Sequence, residues 1–167
     1  LKTVEFLNAA FEVSKENDRG RLFFIRHGGL RRSPLAQIDV DTLVEWCRSR
    51  NDDSVWAPVA AGISLWSKNG DQGGVAIMES AIRLLEAAPE PATVLEVFAD
   101  RVKPSSWHGS RVSMMQPRAD AIAVLVEHEN ADIAVAAKSV SVKLARWIER
   151  EKVREKLEDD QGEQRFE

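Results

Sequence analysis

Residues 130–147, Asn-Ala-Asp-Ile-Ala-Val-Ala-Ala-Lys-Ser-Val-Ser-Val-Lys-Leu-Ala-Arg-Trp, decide how the chain is read. Ile133, Ala137, Val140, Leu144 and Trp147 follow one another at steps of four, three, four and three. That alternation keeps one stripe of a helix buried along its length. Asn130 precedes the run, and its side-chain oxygen can accept the first free amides of a helix.

Working back from this helix, the same kind of pattern recurs. Pro117 is suited to open a helix bearing Ile122, Ala123 and Val126, after a less regular stretch over residues 105–116. Pro91 opens another that carries Val94, Leu95, Phe98 and Val102 and stops at Lys103-Pro104. Upstream of it, Val75, Met78, Ile82 and Leu85 share one face of an element that starts near Asp71 and ends at Ala88-Pro89-Glu90-Pro91. Val40, Leu43, Val44 and Cys47 mark a helix over residues 39–50. Asn51-Asp52-Asp53-Ser54 breaks that helix and caps the next, which has Pro58 in its first turn and is expected to run to Lys68 before Asn69-Gly70.

Near the N-terminus, Val4, Leu7 and Phe11, widened by Phe6, Ala10 and Val13, predict a helix over residues 2–16. A second helix over residues 19–27, closed by Gly28-Gly29, would complete a hairpin. Residues 28–38 read as a connector in which Ser33-Pro34 begins one helical turn. Leu22-Phe23-Phe24-Ile25 is the one strand candidate, and it reads better as helix. The expected fold class is all-α: antiparallel helical hairpins stacked as a short α-solenoid, with an irregular helical bundle as the alternative. Residues 1–150 form one domain in this reading, and residues 151–167 a charged C-terminal helical extension or tail.

Composition narrows the function classes. The 167 residues carry 23 Lys+Arg against 27 Asp+Glu, a net charge of −4, which argues against a nucleic-acid or anionic-membrane surface spread over the whole domain. The single cysteine, Cys47, excludes an internal disulfide and a multi-thiolate metal site and favours a reducing compartment, so a cytoplasmic location is expected. The longest apolar run, residues 119–126, is short and contains Asp120. The first residues read as the start of a polar-faced helix rather than a secretory leader. Because the chain starts at Leu1, it is expected to be the C-terminal part of a larger intracellular protein.

A spacing of about 38 residues relates Val59-Ala60-Ala61, Val97-Phe98-Ala99 and Val135-Ala136-Ala137, with Asp53, Pro91 and Glu129 in the turns before them. Units of this kind bury their faces only by stacking on neighbours. Over residues 39–150 the chain resembles HEAT-type α-helical repeats. The resemblance implies a curved scaffold that binds protein partners along the face lined by its second helices.

Few residues suggest chemistry. Phe24-Ile25-Arg26-His27-Gly28 resembles the strand end on which histidine phosphatases place a nucleophilic imidazole beside a phosphate-binding arginine. That chemistry also needs a second histidine and further cations around the phosphate. His108 and His128 stand in no such context, and His27 before a glycine cap reads more simply as a helix end. Arg19, Arg21, Arg26, Arg31 and Arg32 crowd a stretch without Asp or Glu, a local surface for phosphate, nucleic acid or an acidic partner. The three histidines and one cysteine have no metal-ligand spacing, and no cofactor is expected. Of the five tryptophans, Trp46, Trp56, Trp66, Trp107 and Trp147, only Trp107 sits in an irregular segment. It joins the five arginines as a candidate contact.

The expected function is a non-enzymatic helical-repeat module for protein–protein or interdomain interaction. The alternatives are nucleic-acid or phosphate-ligand binding through residues 19–32, and a phosphate-handling enzyme using Arg26 and His27.

Overall fold

The computed structural model of the chain describes residues 2–16, 33–69, 74–104, 106 and 108–163. These residues are mostly helical, with one two-stranded sheet among them. They fall into two compact units. The first holds residues 1–65 and 77–98, the second residues 66–76 and 99–167.

In the first unit, helix α1 (Lys2–Glu16) buries Leu7, Ala10 and Phe11, while Val4 and Phe6, expected on the same stripe, are exposed. Ser33 caps a single 3-10 turn over Pro34–Gln37 by accepting from the Leu35 amide, as the Ser-Pro pair predicts. Helix α2 (Val40–Arg50) is capped by Asp39, whose carboxylate accepts from Asp41 and Thr42, and it ends at Asn51 in the left-handed region with φ 49°. Its apolar stripe of Val40, Leu43, Val44, Trp46 and Cys47 is buried. The Trp46 indole N–H donates to Asn8 Oδ1 at 2.9 Å and meets Phe11 edge-on at 5.7 Å. Arg50 reaches over the same cluster, donating to Asn8 Oδ1 and Glu12 Oε1 with its guanidinium 5.1 Å from the Phe11 ring. Burial pushes the Cys47 thiol up to about 12, which makes it a small core hydrophobe rather than a nucleophile.

A 3-10 turn over Asp53–Val55, whose cap Asp52 accepts from Ser54, leads into helix α3 (Trp56–Gly62). The expected helix to Lys68 stops six residues short. Beyond Gly62 the chain extends into strand β1 (Trp66–Asn69), paired with strand β2 (Gly74–Ile77). The Met78 amide donates to Leu65 O at 2.9 Å, and Ser67 Oγ donates to Ala76 O. One partner rises in number as the other falls, the order of an antiparallel pair. The strand candidate at residues 22–25 and the helix expected at residues 19–27 lie outside the described residues. Helix α4 (Glu79–Ala87) therefore starts later than the Asp71 reading placed it, and Val75 belongs to a strand. Helix α5 (Pro91–Asp100) begins at its proline and buries Val94, Leu95, Phe98 and Ala99, with Val102 buried just after it.

A side chain at Gly62 would press on Leu35. A Cβ there would overlap Leu35 Cδ1 and lie 3.2 Å from Leu35 Cβ and Cγ, and Leu35 is itself fully buried. Gly62→Ala is expected to cost about 1–3 kcal/mol of overpacking in urea unfolding, partly relieved when combined with Leu35→Val.

In the second unit, helix α6 (Arg111–Ala123) buries Met115, Ala119 and Ile122 and continues into a 3-10 turn over Val124–Glu127. Helix α7 (Ala131–Glu163) follows and packs along α6. Pro117, expected to open the helix bearing Ile122, Ala123 and Val126, lies inside α6 instead of at its start. Ser110 caps α6 instead, accepting from the Ser113 amide at 3.1 Å. Arg118 donates to the carbonyls of Arg101 and Val102, just past the end of α5, and burial lowers its pKa. Among the described residues no helix is long and apolar enough to cross a membrane.

Candidate functional site

Helix α7 has a buried face and an exposed face that carries aliphatic side chains. Asn130 Oδ1 accepts from the Asp132 and Ile133 amides and starts it, and the Asn130 amide itself donates to His128 Nδ1. Ile133, Ala136, Ala137, Val140, Leu144 and Ile148 are buried. Trp147, expected to close this stripe, is half-buried, and Ile148 takes the inner position.

At about 100° per residue, the buried set centres opposite a line through Val135, Val142 and Val153, with Leu157 about 40° to one side. Those four side chains are 70%, 50%, 60% and 55% exposed. Exposed aliphatics are ordinary one by one, but four on one helix face stand out, with Arg146 and Glu149 between Val142 and Val153.

Cations share this face, Arg146 among the aliphatics and Arg150 and Lys143 to one side of them. Lys143, Arg146 and Arg150, with Ser139, Val142 and Trp147, line a shallow surface groove. The Lys103 ammonium stands 3.5 Å from the Trp147 ring centroid and the Lys143 ammonium 4.9 Å from it, so the indole anchors positive charge at the rim. Several carboxylates of α7 pair with cations. Glu149 pairs with Lys152 at 2.7 Å, Glu151 pairs with Arg111 and Arg154, and Arg154 also approaches Glu158.

Glu155 serves the fold. It accepts from the Arg111 amide at 2.5 Å, the Val112 amide at 3.1 Å and Ser110 Oγ at 2.8 Å, so a side chain of α7 caps the N-terminus of α6. Desolvation raises its pKa, but the hydrogen bonds from Ser110, Val112 and Arg111 and the charge of Arg154 outweigh it, and the net shift is downward. A carboxylate depressed in the folded state contributes stability above its unfolded pKa of about 4.3, and that contribution is lost as pH falls through the folded value. Glu155→Gln is therefore expected to lower Tm at pH 7 by a few degrees, for a loss of about 1 kcal/mol. In thermal melts, the gap from the parent chain should narrow as pH falls through the folded value of the Glu155 carboxyl, which lies below its ordinary range.

The residues singled out from sequence, Arg19, Arg21, Arg26, Arg31, Arg32 and Trp107, lie outside the described residues, as does His27. The exposed aliphatics of α7 are not marked by the inward period that identifies its core. The signal was present in Val135, Val142, Val153 and Leu157, which repeat on the opposite side. Among the described residues no group of three or more His, Cys, Asp or Glu side chains is placed to hold a metal ion. Compared with known protein families, curated proteins and solved structures, the chain matches none.

Proposed function

We propose that the chain is a non-enzymatic helical module, its hairpins stacked as a short solenoid, that binds a protein or another domain through the outward face of α7. The observation behind this reading is the set of exposed aliphatics Val135, Val142, Val153 and Leu157 on a face that also carries Lys143, Arg146 and Arg150. A helix face of this composition loses free energy by being covered, at roughly 25 cal/mol per Å² of apolar surface removed from water. Cations on the same face then select and orient what covers it. A protein surface supplies both apolar area and charge, whereas a small ligand would need an enclosing pocket.

The test is a photoreactive phenylalanine analogue placed at Val142, at Val153 or, as a control, at the exposed Glu90, in the full chain inside cells. The proposal expects one light-dependent adduct of the same protein from Val142 and Val153 and none from Glu90. Adducts from all three positions, or from Glu90 alone, would overturn it.

A further inference from the structure

We infer that residues 149–163, about the last four turns of α7, form a strap that the carboxylates of Glu151 and Glu155 close onto the start of α6, and that opens as one piece while the rest of the second unit stays folded. The inference goes beyond the protein-binding reading, and no partner enters its test.

The inward stripe of α7 changes character along its length. Ile133, Ala137, Val140, Leu144 and Ile148 are buried, and Ile148 is the last buried side chain of the helix among the described residues. The period does not end there. Glu151 and Glu155 fall within about 60° of Ile148 around the helix, so the stripe continues as carboxylates. From residue 149 to residue 158 every side chain is exposed or half-buried. Apolar burial scales with area and survives small shifts, and it stops at Ile148. Beyond it, docking passes to charged hydrogen bonds, which depend on direction and are lost together when the acceptor moves.

The closing contacts converge on one turn of α6. Glu155 accepts from Ser110 Oγ at 2.8 Å, the Arg111 amide at 2.5 Å and the Val112 amide at 3.1 Å. Glu151, only 14% exposed, faces the Arg111 guanidinium at 3.5 Å. Other ion pairs of the segment, Lys152 with Glu149 and Arg154 with Glu151 and Glu158, join α7 to itself. They support helix without docking it. Isolated helices shorter than about 12–15 residues are marginal in water, so the segment owes its order to the helix before it and to these two carboxylates. Segments with few buried apolar contacts open first.

Opening does not unmake α6. Ser110 Oγ accepts from the Ser113 amide at 3.1 Å, a cap that involves no atom of α7. Only the Arg111 and Val112 amides lose their acceptor with the strap.

The test is residue-by-residue amide hydrogen exchange of the full chain, followed by NMR with added urea. In the parent chain, Arg111, Val112 and residues 153–157 are expected to exchange through one common opening, with a weaker urea dependence than Val140 to Ile148. Glu155→Arg sets a cation beside Arg111 and the start of α6. It should bring residues 153–157 within about tenfold of unstructured-chain rates, while Val140 to Ile148 stay at least about a thousandfold protected. Ser110→Asp sets a carboxylate against Glu155 yet still caps Ser113, so it should open the strap with the Ser113 amide protected. Lys156→Ala, one residue on and exposed, should leave the parent pattern unchanged.

A urea dependence at residues 153–157 equal to that of Val140 to Ile148 would overturn the inference, because the strap would then open only with the whole unit. Parent-like protection of residues 153–157 in Glu155→Arg and Ser110→Asp would show that the carboxylates do not close it. Loss of protection at Val140 to Ile148 in Ser110→Asp would show that nothing detaches short of unfolding.

Discussion

Trp46→Ala is expected to lower the unfolding free energy by about 3–5 kcal/mol, the usual cost of removing a buried indole. Trp46 is buried in α2, its N–H donates to Asn8 Oδ1, and its ring meets Phe11 edge-on at an interplanar angle of 79°. Truncation opens a cavity between α1 and α2 and removes an aromatic pair worth about 0.5–1.5 kcal/mol beyond its area. It also takes away the surface under the Arg50 guanidinium, which lies 5.8 Å from the Trp46 ring. Asn8 keeps one donor, Arg50 Nη1 at 3.2 Å, so its oxygen is not stranded. Trp46→Phe should therefore cost much less, about 1 kcal/mol for the lost hydrogen bond plus a partial cavity. Urea unfolding of both variants checks the account, and a Trp46→Ala loss below 1 kcal/mol would refute this packing.

Leu144→Asp should be more damaging still. Leu144 is fully buried on the inner face of α7, and the buried set around it (Ile133, Val140, Ile148) offers a carboxylate no partner. Burying an unpaired charge, or shifting its pKa to bury it neutral, costs on the order of 5 kcal/mol, comparable to the whole stability of many domains. The second unit should lose its cooperative melt and its protected α6 and α7 amides in hydrogen exchange. Asp at the same helical depth but on the outer face, Val142→Asp, should leave both nearly unchanged.

The helices were legible where a cap and a period agree. Pro91 opening its helix and Asn130 before the α7 repeat each give a boundary that local chemistry fixes. The hairpin was missed for an identifiable reason. Val75, Met78, Ile82 and Leu85 have helical spacing, yet the chain changes from strand to helix between Ile77 and Glu79, so the spacing runs through two kinds of structure. Four-residue strands are too short to establish a period of their own. The start of α6 was misread because Pro117 is a strong local signal, whereas the group that completes its N-terminus is Glu155, more than forty residues away in sequence. No windowed reading reaches that far.

The candidate site was legible only in part. The basic stretch from Arg19 to Arg32 drew the sequence reading because like charges were adjacent. On α7 the cations Lys143, Arg146 and Arg150 are spread over two turns and interleaved with core residues, and only the folded helix brings them to one surface groove. The three aligned Val-Ala segments likewise look alike in sequence, while Val59 is buried, Val97 half-buried and Val135 exposed. Exposure, not residue type, marks Val135 as part of the outer face.

The most direct test of the outer face is a Val142→Asp/Val153→Asp chain carrying the photoreactive residue at Leu157. Its melting temperature should stay within about 4 °C of the parent, corresponding to a loss of no more than about 1 kcal/mol, while the protein adduct formed from Leu157 disappears. An adduct of undiminished yield, or a chain that no longer folds, would contradict the claim that this face is built for a partner rather than for the core.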